Sequence, residues 1–110
     1  MAYDVQLADR VRGLVRGEPG LSEKRMFGGL AFLVDGTMAV SVSGEGGLLV
    51  RLDPAVDESD VRAAQARPFE MGGRRMSGWR HVDGEVLATD DDLRWWVERG
   101  VARARALPPR

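Results

Sequence analysis

The dipeptide Asp35-Gly36 restricts the fold more than any other pair in this chain. It separates two apolar runs and tolerates the positive φ angles of a two-residue hairpin turn. Beyond it, Met38, Val40 and Val42 alternate with Ala39, Ser41 and Ser43, giving one apolar face and one small or polar face. After Ser43-Gly44-Glu45-Gly46-Gly47 the alternation resumes, with Leu48, Val50 and Leu52 on one face and Leu49 and Arg51 on the other. The stretch from Lys24 to Leu52 therefore reads as a three-stranded antiparallel meander covered on one side. Gly28-Gly29 interrupts its first strand. Such a pair marks a bulge or bend where another backbone comes close, or, in the sharper alternative, an anion-binding nest of N–H groups.

Helical patterns surround this sheet. From Asp4 to Arg16, Leu7, Val11, Leu14 and Val15 share one helical face, with Asp4 as N-cap and Gly17 as stop. Arg10, Arg12 and Arg16 lie off that stripe and read as solvated cations. Asp53-Pro54 opens a second helix, with Asp57, Glu58 and Asp60 at its start and a thin apolar face of Val61, Ala63 and Ala64 ending before Pro68. Two further strands follow, Phe69 to Met71 and Trp79 to Val82, joined by a glycine-rich basic loop that contains Arg74, Arg75 and Met76. Asp83-Gly84 marks another turn. The last helix is the best defined: Thr89 and Asp92 cap it, and Leu93, Trp96, Val97, Gly100, Val101 and Ala104 follow a 3.6-residue period. Trp95 lies beside that stripe, covering an edge of the core or a partner. The sum is an α+β class, with 1–110 read as a single domain.

Composition narrows the function. The chain of 110 residues has 16 basic and 17 acidic residues, a net charge of -1, which provides no general attraction to phosphate backbones or anionic membranes. Cysteine is absent, so disulfides, thiolate metal sites and thiol nucleophiles are excluded. No apolar run suffices for a bilayer and no signal peptide is evident, so the expected location is cytoplasmic. Lys24 is the sole lysine and arginine is abundant, a bias of GC-rich bacterial coding that weakens any inference from arginine alone.

No catalytic motif emerges. His81 is the one histidine and lacks a partner for zinc, the serines have no nucleophile-elbow setting, and neither phosphate-binding nor dinucleotide-binding glycine spacing occurs. The acidic residues near Asp57 lack EF-hand spacing and suit a helix N-terminus. No catalytic residue, metal site or cofactor is therefore assigned. The feature with most functional content is a set of cations, Lys24, Arg25, Arg51, Arg74, Arg75, Arg80 and His81, interleaved with Phe27, Met76 and Trp79. From it come the candidate binding residues Lys24, Arg25, Arg74, Arg75, Met76, Trp79 and Arg80. They could bind single-stranded nucleic acid or acidic protein surfaces, or Phe27 and Trp79 could be core and the arginines solvated strand edges. Met26, Met38 and Met71 read as adaptable core filler, and Met76 as exposed.

The residues Met1-Ala2-Tyr3-Asp4 with Leu7-Ala8-Asp9-Arg10-Val11-Arg12, Glu23-Lys24-Arg25-Met26-Phe27-Gly28-Gly29-Leu30-Ala31-Phe32, the Met38 strand, Glu70-Met71-Gly72-Gly73-Arg74, Gly78-Trp79 and Trp96-Val97-Glu98-Arg99-Gly100 resemble the N-terminal domain of the TfoX/Sxy family. The resemblance implies a two-layer α-β3-α-β2-α domain similar to the YjbR-like and secretion-chaperone-like folds. It marks Arg25, Met26, Phe27, Gly28, Gly29, Met71, Gly72 and Gly73 as motif residues with a structural role. Family members regulate natural competence and act with the cyclic-AMP receptor protein; they carry a second, C-terminal domain that this chain is expected to lack. The expected function is a non-enzymatic regulatory or interaction module with a protein partner, transcription-related in the family's manner. Direct nucleic-acid binding through a local basic patch, and small-molecule binding or an uncharacterised enzyme, are the alternatives. No membrane partner is expected, and self-association is open.

Overall fold

The structure, a computed structural model, describes residues 3–26, 28–59 and 62–107. Its elements in chain order are α1 (Val5–Val15), β1 (Leu21–Met26), β2 (Gly29–Val34), β3 (Thr37–Val42), β4 (Leu48–Arg51), α2 (Pro54–Ser59), β5 (Arg67–Met71), β6 (Arg74–Val82) and α3 (Asp90–Ala106), with short 3-10 turns before β5 and α3. The strands form one antiparallel sheet in the order β1-β2-β3-β4-β6-β5. The class is α+β. The order of elements carries one strand more than α-β3-α-β2-α, because Gly28 turns the chain and splits the expected first strand into β1 and β2, paired Met26 to Gly29.

Turn chemistry explains the hairpins. Asp35 and Gly36 both have positive φ, 51° and 82°, as the tight β2–β3 turn demands. Gly72 and Gly73, at 61° and 80°, do the same between β5 and β6. The segment expected to be a basic loop is therefore mostly strand: Arg74, Arg75 and Met76 lie in β6. Gly29 bears out the expectation of a close backbone approach, since a Cβ there would run into the Val42 carbonyl oxygen.

One face of the sheet carries the core. Leu30, Phe32, Val40, Val42, Leu48, Val50 and Val82 pack against Leu7, Val11 and Val15 of α1 and Leu93, Trp96 and Val97 of α3. The cap residues act as their types dictate. Asp4 accepts from the Leu7 amide at 3.1 Å, and Thr89 accepts from the Asp92 amide at 3.1 Å. Gly100 brings α3 against β3, where a Cβ would stand 2.5 Å from the Ala39 carbonyl oxygen. Ala39 is itself the extra residue of a bulge, for Phe32 pairs with Val40 and Leu33 with Met38. That bulge corrects the sequence reading of β3: Met38 does not share a face with Val40 and Val42.

Arg12, read as a solvated cation, is exposed as expected and in addition holds Glu23 by two hydrogen bonds of 2.8 and 2.9 Å, tying α1 to β1. That guanidinium keeps the Glu23 carboxyl below the usual carboxylate range. The second helix is shorter than its pattern suggested. It is described over Pro54–Ser59, and Ala63–Gln65, expected to continue its apolar face, form a 3-10 turn. The expectations resting on Phe27, Asp60 and Val61 lie outside the described residues. Among the described residues no helix is long and apolar enough to cross a membrane.

Candidate functional site: the open sheet face

Both long helices cover the same side of the sheet, so the alternate residues of every strand are left on the other side. That side was expected to be small and polar, as Ser41 and Ser43 suggest. It is instead largely apolar. Met26, Met38, Leu49, Phe69, Met76 and Trp79 line a cavity of about 540 Å³, with Ser41, Ser43, Glu45 and His81 as polar groups and glycines 28, 29 and 44 at one end. This volume lies within the range of small-ligand pockets.

The strand register explains how the lining converges. Ser41 stands opposite Leu49, Leu49 opposite His81, and Arg51 opposite Trp79. The bulge at Ala39 turns Met38 onto the same side. A wide irregularity between β5 and β6, where Pro68 faces Arg80 but Glu70 faces Arg75, brings Phe69 and Met76 together at the far wall. Gly78 permits that irregularity: its φ is 83°, and a Cβ there would stand 2.8 Å from the Leu52 carbonyl oxygen. Met26, Met38 and Met76 thus line an open cavity, which corrects the reading of Met26 and Met38 as core filler; the same reading of Met71 lies outside the described side chains. Met76 is exposed, as expected.

Three polar side chains of the cavity are already engaged: Ser41 donates to the Leu30 carbonyl oxygen at 3.4 Å, Ser43 accepts from the Glu45 amide at 3.1 Å, and His81 bonds on both ring nitrogens. His81 Nε2 lies 2.7 Å from the Gly46 carbonyl oxygen. A carbonyl can only accept, so Nε2 carries the proton and Nδ1 accepts from Arg67 at 2.8 Å. Arg67 also donates to Asp83 at 2.9 Å. His81 therefore fastens the β3–β4 loop to β6 and anchors the cavity floor. Trp79 is covered from one side by the Arg51 guanidinium, 5.3 Å from the ring centroid. Among the described residues no cluster of histidine and carboxylate side chains could hold a metal ion.

The candidate cations do not share one surface. Lys24 stands opposite Ala31, which stands opposite Ser41, so it belongs to the open side with the cavity. Arg25 stands opposite Leu30 and belongs to the helix side. Strand alternation assigns Arg74 to the side of Met76 and Arg75, opposite Glu70, to the other. Arg80 is a correction. It faces the helix side beside Val50, is 9% exposed, and donates to the Ala66 carbonyl oxygen at 3.0 Å. Among the motif glycines, Gly28, Gly72 and Gly73 serve tight turns and Gly29 a backbone contact.

Sequence reasoning missed Met38, Leu49 and Phe69 as site residues. The signal was present, because Leu33, Leu49 and Trp79 recur on the face opposite the core, but two serines in β3 masked it.

A family model, the TfoX N-terminal domain, matches residues 14–104. No curated protein and no solved structure matches the chain. The match spans most of the sequence, and the chain belongs to the TfoX N-terminal domain family.

Proposed function

We propose that this TfoX N-terminal domain is a non-enzymatic interaction module that acts in regulation by receiving an apolar element of a protein partner on its open sheet face. The observation that carries this reading is the uncovered cavity of Met26, Met38, Leu49, Phe69, Met76 and Trp79. A sheet normally buries its apolar faces against another layer. Methionine side chains adapt to varied partners because they are unbranched and polarisable. The family supports a regulatory setting, and a transcription-related partner is the specific form of the proposal.

The test is site-specific photocrosslinking in the native host, with a photoreactive residue at Leu49 and a control at Gln6 on the exposed surface of α1. The expected result is one defined adduct from position 49, absent from position 6 and lost when Met76→Glu is added. Equal adducts from both positions would sink the proposal. A second reading, a small apolar ligand, is favoured by the cavity's size and by its few polar groups. It would be supported by a small molecule that co-purifies with the folded chain and is released by Met76→Glu.

A further inference from the structure

Resting on that reading of the open face, we infer that its occupant is an acidic amphipathic helix laid across the sheet. Three features of the molecule select this chemistry. The first concerns the edges. An extended peptide would add to β1 or β5, but β1 exposes Ser22, Glu23, Lys24 and Arg25 in succession, and β5 contains Pro68, which has no N–H to donate. Such edges resist strand addition. The occupant therefore lies on the face, and a helix supplies its own backbone hydrogen bonds while presenting an apolar stripe there.

The second feature is charge. Strand register assigns Lys24, Arg51 and Arg74 to the open side, outside the lining itself, and Glu45 is the carboxylate among the described lining residues. Asp83, near His81, is already paired with Arg67 at 2.9 Å, and the acidic run Asp90, Asp91 and Asp92 lies at the start of α3, which covers the other side of the sheet. A helix flanked by Glu or Asp complements this rim, whereas a basic one is repelled. The third feature is size. The domain measures 32 × 30 × 30 Å, so a helix of about 15 residues, roughly 22 Å long, crosses the sheet without overhanging it.

The experiment uses the full chain with ¹³C-methyl methionine and four probes. One is a synthetic helical peptide with leucines at i, i+3, i+4 and i+7 and glutamates on its flanks. The second carries lysine in place of each glutamate, the third has two central prolines in the acidic peptide, and the fourth is an oligo(dT) strand. The expected result is that the acidic helix moves the methyl signals of Met26, Met38 and Met76, and binds at least about tenfold more tightly than the lysine peptide. Binding weakens with added salt, and Lys24→Glu/Arg74→Glu removes the preference. Near-ultraviolet circular dichroism confirms that the double variant is folded.

Equal binding of acidic and basic helices overturns the inference while leaving the open face as an interaction surface. So does equal binding of the proline peptide. Tighter binding of oligo(dT) overturns it in favour of nucleic acid. If no probe moves the methyl signals, the acidic-helix inference fails, and the crosslinking at position 49 decides separately whether the proposed function fails with it.

Discussion

Gly100→Ala tests how tightly α3 is docked on the sheet. In the middle of a helix, alanine is normally favoured over glycine by about 0.5–1 kcal/mol, because glycine loses more backbone freedom on folding. Here the added Cβ would stand 2.5 Å from the Ala39 carbonyl oxygen, 2.7 Å from Val40 Cγ1 and 3.1 Å from the Ala39 carbonyl carbon. Two of these are backbone atoms of a buried, paired strand, so a side-chain rotation cannot relieve the contact. Overpacking of this kind costs roughly 1–3 kcal/mol. Subtracting the helix gain leaves a net loss of up to roughly 2.5 kcal/mol and about 1 kcal/mol at mid-range, the latter about 4–6 °C in Tm for a domain of this length. Gly13→Ala is the matched control. Gly13 is also helical, but nothing lies within 4 Å of its Cβ position, so the same substitution stabilises by up to about 1 kcal/mol. The assay is urea unfolding followed by far-ultraviolet circular dichroism, with unchanged m-values as the check on two-state behaviour. If Gly100→Ala stabilises the chain as Gly13→Ala does, the close docking of α3 on β3 is refuted.

Other perturbations separate structural from surface groups. Arg80→Ala removes the donor to the Ala66 carbonyl oxygen and lowers unfolding free energy by about 1–3 kcal/mol. Arg74→Ala stays within about 0.5 kcal/mol of the parent, and the same urea titration reads both. Thr37 is 3% exposed, and Thr37→Val replaces its buried hydroxyl, which has no hydrogen-bond partner among the described residues. It raises stability by about 1 kcal/mol, measured as a higher urea midpoint. Glu23 is depressed by its bonds to Arg12, so its stabilising contribution is full above the ordinary glutamate value of 4.5 and is lost as the pH falls through the lower folded value. The urea midpoint of Glu23→Gln should therefore fall less steeply on acidification than that of the parent, and parallel curves would show that the pair contributes nothing.

Much of the frame could be read from the residues, where local chemistry alone decides. Asp35-Gly36 admits few conformations, Thr89 and Asp92 cap α3 through contacts three residues apart, and the apolar periods of α1 and α3 state which side they bury. The failures share a different cause. Gly28 looks like an interruption in one strand, because Gly28-Gly29 lacks the Asn-Gly or Asp-Gly signature of a tight hairpin and the apolar run resumes directly at Leu30. Ala39 is chemically unremarkable as a bulge, yet that one inserted residue reverses the face of Met38. Arg80 resembles its neighbours Arg74 and Arg75 in every local respect. It is buried because the β5–β6 irregularity and the 3-10 turn at Ala63–Gln65 bring the Ala66 carbonyl oxygen within reach of its guanidinium. Tertiary partners, which no window along the chain contains, decide each of these cases.

The two sides of the sheet differ in the kind of contact they make, and this bears on how the domain could act. On the helix side, glycine and alanine let backbones meet directly, as at Gly100 with Ala39, and β-branched valines fill the space between. Such packing is intolerant of change and holds one arrangement. On the open side the lining is methionine, leucine and aromatic rings, which can re-rotate without moving the strands. His81 joins the two regimes, because its bonds to Gly46 and Arg67 keep the loop and β6 in place while the methionines remain free to adapt. A surface built this way binds by reshaping side chains over a fixed backbone, so little ordering entropy is lost from the sheet itself. Truncations on the open face, such as Met38→Ala, should consequently alter binding more than folding. Truncations on the helix side, such as Val40→Ala, should do the reverse, since Val40 is fully buried.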